Sequence, residues 1–359
     1  MTIDAISIKN YKSIKEIENL KLTNLNILIG SNGAGKSNFV SFFKLLNTII
    51  EKKLREYSKT IGADNLLHFG IKTSSEIFGQ VDFGRNKYSF TLKPKEDDSL
   101  FFETEKTAYI SYHYTGQEPQ RIIGHSNDET KLFECSTVCK YVRDALLSWR
   151  VYHFHDTSST AKVKGSCAIS SSANKQLSPN GENLSAFLYY LKLKFPDSFF
   201  MIEETIKLIA PYFDRFILEP DIFDEDKINL EWQEVGNEKL FTAHHLSDGT
   251  LRMICLTTLL LQPNPPDTII IDEPELGLHP YAITVLASLM KSFAVDKQLI
   301  VSTQSVTLIN HFEPKDIIVT DKSSGASNFR RLEVDELKDW IEDYSLGEIW
   351  EKNIIGGRP

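Results

Sequence analysis

Eight residues with the spacing G-x-x-x-x-G-K-S are the strongest chemical signal in this chain. They are preceded by an apolar run at 27–29, followed by an amphipathic stretch that opens with Asn38, and they read Gly30, Ser31, Asn32, Gly33, Ala34, Gly35, Lys36 and Ser37. A strand, a glycine-rich loop and a helix in this order are typical of a P-loop, whose backbone N–H groups cradle phosphate oxygens. Lys36 would reach the β- and γ-phosphates and the Ser37 hydroxyl would ligate Mg²⁺. We therefore expect residues 30–38 to bind a nucleoside triphosphate.

A second group of chemical residues lies far along the chain, where an apolar run ends in acid. Residues 268–271 are apolar or β-branched, and Asp272 and Glu273 follow directly. A buried parallel strand delivers its last residue to the edge of the sheet where ligands bind. Asp272 is then placed to hold Mg²⁺ through its water shell, and Glu273 to act as general base on the attacking water. The plainer interpretation is a pair of acids that cap a strand before a turn.

Two further polar segments flank that strand in the sequence. Leu246, Ser247, Asp248 and Gly249 precede a long apolar helix, where Ser247 is suited to cap the helix and the Gly249 amide to approach an anion. An ordinary helix N-cap is the alternative. Downstream, the apolar run at 299–301 ends at a turn that contains Gln304. A glutamine there can donate a hydrogen bond but cannot titrate near neutral pH.

Composition limits the class of protein. The chain has 359 residues, 41% hydrophobic and 25% charged, which indicates a globular protein with a sizeable core. A formal net charge of −9 argues against a chain that binds nucleic acid over its whole surface, although a local basic face stays open. No apolar run reaches membrane-spanning length, so we expect no membrane contact. Four cysteines without framework spacing favour a reduced, cytoplasmic protein.

The pattern along the chain divides it into three parts. Residues 1–130 combine the P-loop with an alternating segment, interrupted by polar turns, that predicts an antiparallel β meander. Residues 131–240 predict a mostly helical insertion with a small β segment, including a helix over 131–149 and two helices separated at Pro196. Residues 241–359 alternate helix and strand, which is typical of the second half of a parallel sheet. The fold class predicted is α/β.

These motifs, in this order, resemble those of a stand-alone ABC-type ATPase of the RecF/SMC/OLD lineage. The segment after Glu273 is similar to the D-loop of that superfamily, with Leu278 and His279 in it, and residues 246–250 are similar to its signature motif. More narrowly, the ending at 346–359 resembles small bacterial "AAA family ATPase" proteins, similar to the ATPase subunits of Septu and PARIS. The resemblance implies a P-loop NTPase fold, namely an ABC-type ATPase head with a β meander and a short helical insertion.

The resemblance also implies how such a site works. ATP and Mg²⁺ would be sandwiched in a homodimer or higher homo-oligomer, with residues 246–249 of one subunit completing the P-loop site of the other. Gln304 stands where the family usually has histidine, which implies slow turnover. Gln80 is the one glutamine we relate to the Q-loop and its metal. Tyr11 and Lys12 are expected near the nucleotide, and Arg252 is either a surface cation or a phosphate contact.

The biological role implied is a switch. ATP-driven dimerisation would control a separately encoded effector, a nuclease or toxin, in anti-phage defence. This chain shows neither the long coiled coil of SMC-like members nor an acidic nuclease domain, so we expect any nuclease activity on another protein. A RecF-like ATPase that clamps DNA is the first alternative, and a nucleotide-dependent scaffold that does not hydrolyse ATP is the second.

Overall fold

The structure is a computed structural model, and it describes residues 1–110, 120–135, 137–169 and 172–358. The alternating segment predicted as the meander runs from Ser75 to Ser111, and Ser111 lies outside the described residues, as does Pro359 at the end of the resemblance segment. The chain forms two compact units. Unit 1 comprises residues 1–151, 266–270 and 296–359, and unit 2 comprises residues 152–265 and 271–295.

The helices and strands are numbered along the chain. The N-terminal half contains β1 (Ala5–Tyr11), β2 (Ile14–Lys21), β3 (Leu25–Ile29), α1 (Lys36–Ile50), α2 (Leu54–Ile61), α3 (Ala63–Leu66), β4 (Ile77–Phe83), β5 (Asn86–Pro94), β6 (Leu100–Tyr109), β7 (Gln120–Asn127), α4 (Thr137–Leu147) and β8 (Trp149–Tyr152). The remainder contains β9 (Cys167–Ala168), α5 (Leu184–Lys194), α6 (Pro196–Ile209), β10 (Phe213–Ile217), β11 (Lys227–Ile228), β12 (Glu231–Glu234), β13 (Leu240–Thr242), α7 (Asp248–Leu261), β14 (Thr268–Asp272), α8 (Pro280–Phe293), β15 (Gln298–Ser302), α9 (Val306–Ile309), β16 (Ile317–Ser323), β17 (Ala326–Arg331), α10 (Lys338–Ile341) and α11 (Leu346–Glu351).

An antiparallel sheet in unit 1 has the strand order β2-β1-β4-β5-β6-β7. Strand β4 alternates buried and half-buried residues along its whole length, as expected of a strand with one face on the core. Helix α1 contributes Phe42 to that core, where it meets Tyr11 edge-on and stacks on Phe90 with a centroid distance of 6.2 Å. The predicted meander is therefore present, and it packs with the helix that follows the P-loop.

The second large sheet has the order β17-β16-β3-β15-β14-β8. Strand β3 is buried at every residue and pairs in parallel with both β15 and β16. Burial on both faces is typical of a parallel sheet covered by helices, and it explains the uninterrupted apolar run before Gly30. The boundaries between the two units fall inside β8 and β14.

Unit 2 contains the helices α5, α6, α7 and α8 and two small sheets. Helix α6 starts at Pro196, directly after the end of α5, so the predicted break between two helices is confirmed. A proline at the first helical position fits because that residue needs no backbone hydrogen bond. Three short strands form the small sheet β10-β12-β13, in which Trp232 packs on Phe213 and Phe241.

The region 131–149 differs from its prediction. The helix α4 covers only Thr137–Leu147, and Trp149 already begins the strand β8. The last residues of the predicted helix belong to the sheet instead, and Trp149 is buried there against Phe83. Cys135 and Cys139, which we expected to be reduced, are joined by a disulfide. Within the described ranges, no helix is both long and apolar enough to span a membrane.

Candidate functional site

The P-loop closes around the side chain of Lys36. Lys36 is only 4% exposed, and its Nζ donates to the carbonyl oxygens of Gly30 at 2.5 Å and Ser31 at 3.1 Å. Gly35 is the N-cap of α1 and has a left-handed backbone with φ of 117°, which favours glycine. Ser37 is exposed, so its hydroxyl is accessible. The loop thus holds an ammonium at the positive end of a 15-residue helix, which is an arrangement suited to phosphate.

A serine cluster supports the same loop from the side. The Nδ2 of Asn38 donates to Ser13 Oγ at 2.7 Å, and Ser327 Oγ lies 2.7 Å from Ser13 Oγ. Ser13 follows Tyr11 and Lys12, so the turn that we expected beside the nucleotide does reach the P-loop helix. Burial lowers the pKa of the Lys12 ammonium, with a further contribution from Lys44. A partly desolvated ammonium gains more from an anion than one that is fully solvated.

The turn that contains Gln304 lies at the same sheet edge as the P-loop. Strand β15 pairs in parallel with β3, with Ser302 opposite Leu28, and the Thr303 N–H donates to the Leu28 carbonyl at 3.0 Å. Both strands end within two residues of that point, so the loops after them leave the sheet on one side. Ser305 then caps α9 by accepting from the Leu308 N–H at 3.1 Å. Gln304 is therefore fixed on both sides.

The acidic pair Asp272 and Glu273 occupies the end of β14 and the residue after it. Asp272 is the last residue of the strand, and both carboxylates are half-buried. Glu273 has φ of +44°, in the left-handed region that a residue with a long side chain rarely adopts. Such conformations cost about 1–3 kcal/mol and are concentrated at functional sites. Nine other non-glycine residues of the described chain share a positive φ, Lys52 and Phe69 among them, so the role of Glu273 stays a prediction.

The signature segment caps α7, as its sequence predicted. Ser247 Oγ accepts from the Thr250 N–H at 3.1 Å and lies 2.8 Å from the Thr250 hydroxyl. Leu246 is buried, whereas Ser247 and Asp248 are exposed. The Asp248 carboxylate lies 3.5 Å from the ammonium of Lys164. Leu246 is therefore packed inside the protein, while the polar residues of this segment are exposed.

The D-loop lies directly against the signature segment within unit 2. A methyl group added at Gly249 would be 2.5 Å from the carbonyl oxygen of Gly277, so only glycine fits at this position. His279 caps α8, with its Nδ1 accepting from the Tyr281 N–H at 3.3 Å, and Leu278 is half-buried. The signature segment and the D-loop, whose glycines are 28 positions apart in the sequence, are therefore in backbone contact with each other.

Arg252 connects the same two segments, and the surface cation that the sequence left open for it is not what the structure has. Its side chain is 6% exposed, which rules out a surface cation. The guanidinium donates to the carbonyls of Phe154 at 2.9 Å, of His155 at 3.3 Å and of Leu276 in the D-loop. Burial lowers the pKa of this guanidinium. Through these carbonyl bonds Arg252 acts as an internal brace between the start of α7 and the D-loop.

Two other predictions concern metal ligands. Gln80 lies in β4 of the antiparallel sheet, where its Nε2 donates to Asp82 at 2.8 Å. Cys135 and Cys139 are joined to each other in the disulfide. In the part of the chain that the structure describes, no cluster of three or more His, Cys, Asp or Glu side chains is suited to hold a metal ion. The Mg²⁺ ligands Ser37 and Asp272 stay predictions.

Comparison with known proteins agrees with this geometry. Residues 147–310 match the family model described as "AAA domain, putative AbiEii toxin, Type IV TA system". The SMC head bound to the C-terminal winged-helix domain of ScpA is 15% identical and superposes with a TM-score of 0.53, over 94% of this chain and 100% of that one. The SMC head with an extended coiled coil, bound to the C-terminal domain of ScpA derived from Pyrococcus furiosus, gives 16% identity, a TM-score of 0.55 and coverage of 95% and 98%.

This chain has the fold of an SMC-type ABC ATPase head. The predicted fold class and the resemblance to the SMC/RecF lineage of ABC-type ATPases are therefore confirmed at the level of the fold. No match was found among curated proteins. The family model begins at residue 147, so the P-loop assignment depends on the geometry of residues 30–38 rather than on that match.

Proposed function

We propose that this ATPase head binds ATP with Mg²⁺ and hydrolyses it slowly. The observation that carries the proposal is the buried Lys36 ammonium, held by two carbonyls inside a glycine-rich loop at the start of α1. In this proposal residues 30–38 bind the phosphates, and Ser37 and Asp272 ligate Mg²⁺. Glu273 accepts a proton from the attacking water, and Gln304 donates a hydrogen bond toward the γ-phosphate.

We further propose that ATP closes two copies of the chain on each other. The exposed Ser247 and Asp248 on the signature segment would contact the nucleotide of the partner copy. ATP then acts as a ligand with a much higher affinity for the closed dimer than for the open state, which is what a switch requires. The D-loop would follow the signature segment, because Gly249 and Gly277 are in direct backbone contact.

The switch is proposed to control a separate effector protein in anti-phage defence. Two comparisons support this: the matching family model is described by a toxin and a type IV toxin–antitoxin system, and the SMC heads of similar fold are bound to ScpA. The net charge of −9 disfavours the alternative in which the closed dimer clamps DNA. Gln304 favours the second alternative, a scaffold without hydrolysis, because glutamine cannot exchange protons near neutral pH.

One variant separates these functions. Glu273→Gln removes the proposed base and keeps the size of the side chain, so it should trap the ATP-bound dimer. We expect steady-state ATP turnover in the wild type that Glu273→Gln loses, and a tagged Glu273→Gln chain, expressed with its neighbouring genes, should retain a protein partner in ATP and Mg²⁺. Recovery of nuclease-sensitive DNA without a protein would favour the clamp, and absence of turnover in the wild type would favour the scaffold.

A further inference from the structure

The last described residues of the chain fold back onto the P-loop. We call residues 354–358 the tail segment. Gly357 is buried, and a methyl group added there would lie 2.9 Å from the Thr320 carbonyl oxygen, 3.0 Å from Val319 Cγ1 and 3.5 Å from Gly30 Cα. Gly30 is the first glycine of the P-loop, and its carbonyl accepts from Lys36 Nζ. The tail segment therefore contacts the residue that holds the phosphate-binding lysine.

Strand β16 forms the floor of this contact. It pairs in parallel with β3, with Val319 opposite Ile29, so Thr320 lies beside Gly30 where the P-loop leaves the sheet. A methyl group on Gly30 would collide with the Thr320 carbonyl oxygen. That carbonyl oxygen thus lies close to both Gly30 and Gly357.

Two side chains fix the tail segment in this place. The indole N–H of Trp350, which is fully buried, donates to the Gly357 carbonyl at 2.6 Å. The Nη2 of Arg330 donates to the Ile355 carbonyl at 3.0 Å, while its Nη1 is paired with Glu336 at 2.7 Å. The bond from Trp350 is buried and the bond from Arg330 is part-buried, and losing a buried bond leaves its partner unsatisfied. The tail segment is therefore held by specific donors.

The helix before the tail segment is fixed near the Gln304 turn. The N–H of Gly347, at the start of α11, donates to Asn310 Oδ1 at 2.7 Å. Asn310 is the C-cap of α9, the short helix that begins after Ser305. The segment 346–358 thus contacts both the P-loop and the helix that follows the Gln304 turn. The sequence showed this segment only as an ending similar to that of other ATPases.

We propose that Gly357 is a positioning residue for the nucleotide site, and that the tail segment holds Gly30 so that Lys36 is aligned for phosphate. The proposal rests on the ATP binding proposed above. Displacing Gly357 would move the Gly30 carbonyl, and with it the lysine ammonium. The chemical steps assigned to Glu273 and Gln304 would be unaffected once ATP is bound. The effect should therefore appear in affinity and KM, with kcat at saturating ATP close to that of the wild type.

The chain offers a matched control for this test. Gly356 has φ of +78° and Gly357 has φ of +60°, so alanine suffers a similar backbone strain at both positions. A methyl group on Gly356 would meet only Asp321 Oδ2, at 4.0 Å, whereas on Gly357 it would meet β16 and Gly30. The difference between Gly357→Ala and Gly356→Ala therefore isolates the contact with the P-loop.

The experiment is an ATP–Mg²⁺ titration of the wild type and both variants, with thermal unfolding measured without nucleotide. We expect Gly357→Ala to raise the ATP Kd about tenfold over Gly356→Ala, while both variants stay folded at the titration temperature and Gly357→Ala melts a few °C lower because of its clash with the Thr320 carbonyl oxygen. Equal Kd values would overturn the proposal. If Gly357→Ala does not fold, Trp350→Phe replaces it in the test, because this variant removes the hydrogen-bond donor to Gly357. A raised ATP Kd for Trp350→Phe would support the proposal. A Kd equal to that of the wild type would overturn it. A wild type that does not bind ATP would instead remove the proposed function.

Discussion

Gly249 in the signature segment and Gly277 in the D-loop are in backbone contact within unit 2. The carbonyl oxygen of Gly277 occupies the place where a side chain at Gly249 would begin, with only 2.5 Å to an added methyl carbon. Real Cβ atoms do not approach a carbonyl oxygen this closely. The signature segment and the D-loop are therefore packed directly on each other, which suits motifs that are proposed to respond to one nucleotide.

The first prediction concerns Gly249→Ala. Alanine favours a helix over glycine, so helix propensity alone predicts a gain in stability. The contact with Gly277 predicts the reverse, a loss of about 1–3 kcal/mol from overpacking against backbone. Urea unfolding of the wild type and Gly249→Ala measures the sign. A variant as stable as the wild type or more stable would show that the D-loop yields to the methyl group.

The second prediction concerns the buried Arg252. Lysine keeps the charge but cannot reach three carbonyls with one ammonium, so Arg252→Lys leaves buried acceptors unsatisfied. We expect a loss of about 2–4 kcal/mol in the free energy of unfolding. Arg215→Lys is the control, because that arginine is exposed, with hydrogen bonds to the side chain of Gln233 and an ion pair with Asp214 at 3.8 Å. Similar stability of the two variants would contradict the bracing role of Arg252.

The third prediction tests whether Ser247 lies at an interface. Ser247→Arg places a long cation where the partner's nucleotide is proposed to sit, so it should block ATP-driven dimerisation while ATP binding is kept. Loss of the N-cap alone costs about 1 kcal/mol, and Ser247→Ala carries that same loss without the bulk. Light scattering of the two variants in ATP gives the mass. Dimers in both, or in neither, would argue against a signature role for this residue.

The fourth prediction concerns the buried Glu105 and pH. Burial raises the pKa of its carboxyl above the ordinary 4.5, against the hydrogen bonds from the Lys131 N–H, Thr130 and Tyr88. The native state then binds more protons than the unfolded state just above pH 4.5, so Glu105 makes stability fall as pH rises through this window.

Urea unfolding between pH 4.5 and 7 of the wild type, Glu105→Gln and the charge control Glu103→Gln checks this sign. The control removes a carboxylate from the same strand at a half-buried position. Relative to the wild type, Glu105→Gln should become less destabilised as pH rises. A constant difference across the range would show that Glu105 does not titrate there.

Most of the fold could be predicted from local patterns in the sequence. The P-loop, the break at Pro196 and the Ser247 cap depend on residues within a few positions of one another, and each is present in the structure. The strand β8 was missed because its place at the end of the sheet order is decided by pairing with β14, more than a hundred residues away. Because the residues before β8 have helical spacing, the predicted helix was continued too far, to residue 149.

The contacts that complete the site could not be predicted from local patterns. The signature motif accounts for a glycine at position 249, but nothing in the sequence indicates that Gly249 also contacts Gly277. Gly357 meets Gly30 across most of the length of the chain, and Arg252 finds carbonyls on two distant segments. The two consecutive glycines at 356–357, a few residues after Trp350, were the available sequence signal for the tail segment. Only the packed structure shows what those glycines touch.

The most direct test of the account is the affinity of the chain for ATP in the presence of Mg²⁺, measured by titration calorimetry for the wild type and for Lys36→Ala. Lys36 is buried in the P-loop and donates to the Gly30 and Ser31 carbonyls, so its loss removes the one cation that the loop encloses. The account predicts clear binding by the wild type and none by a folded Lys36→Ala variant. Equal ATP affinity in the two proteins would contradict it.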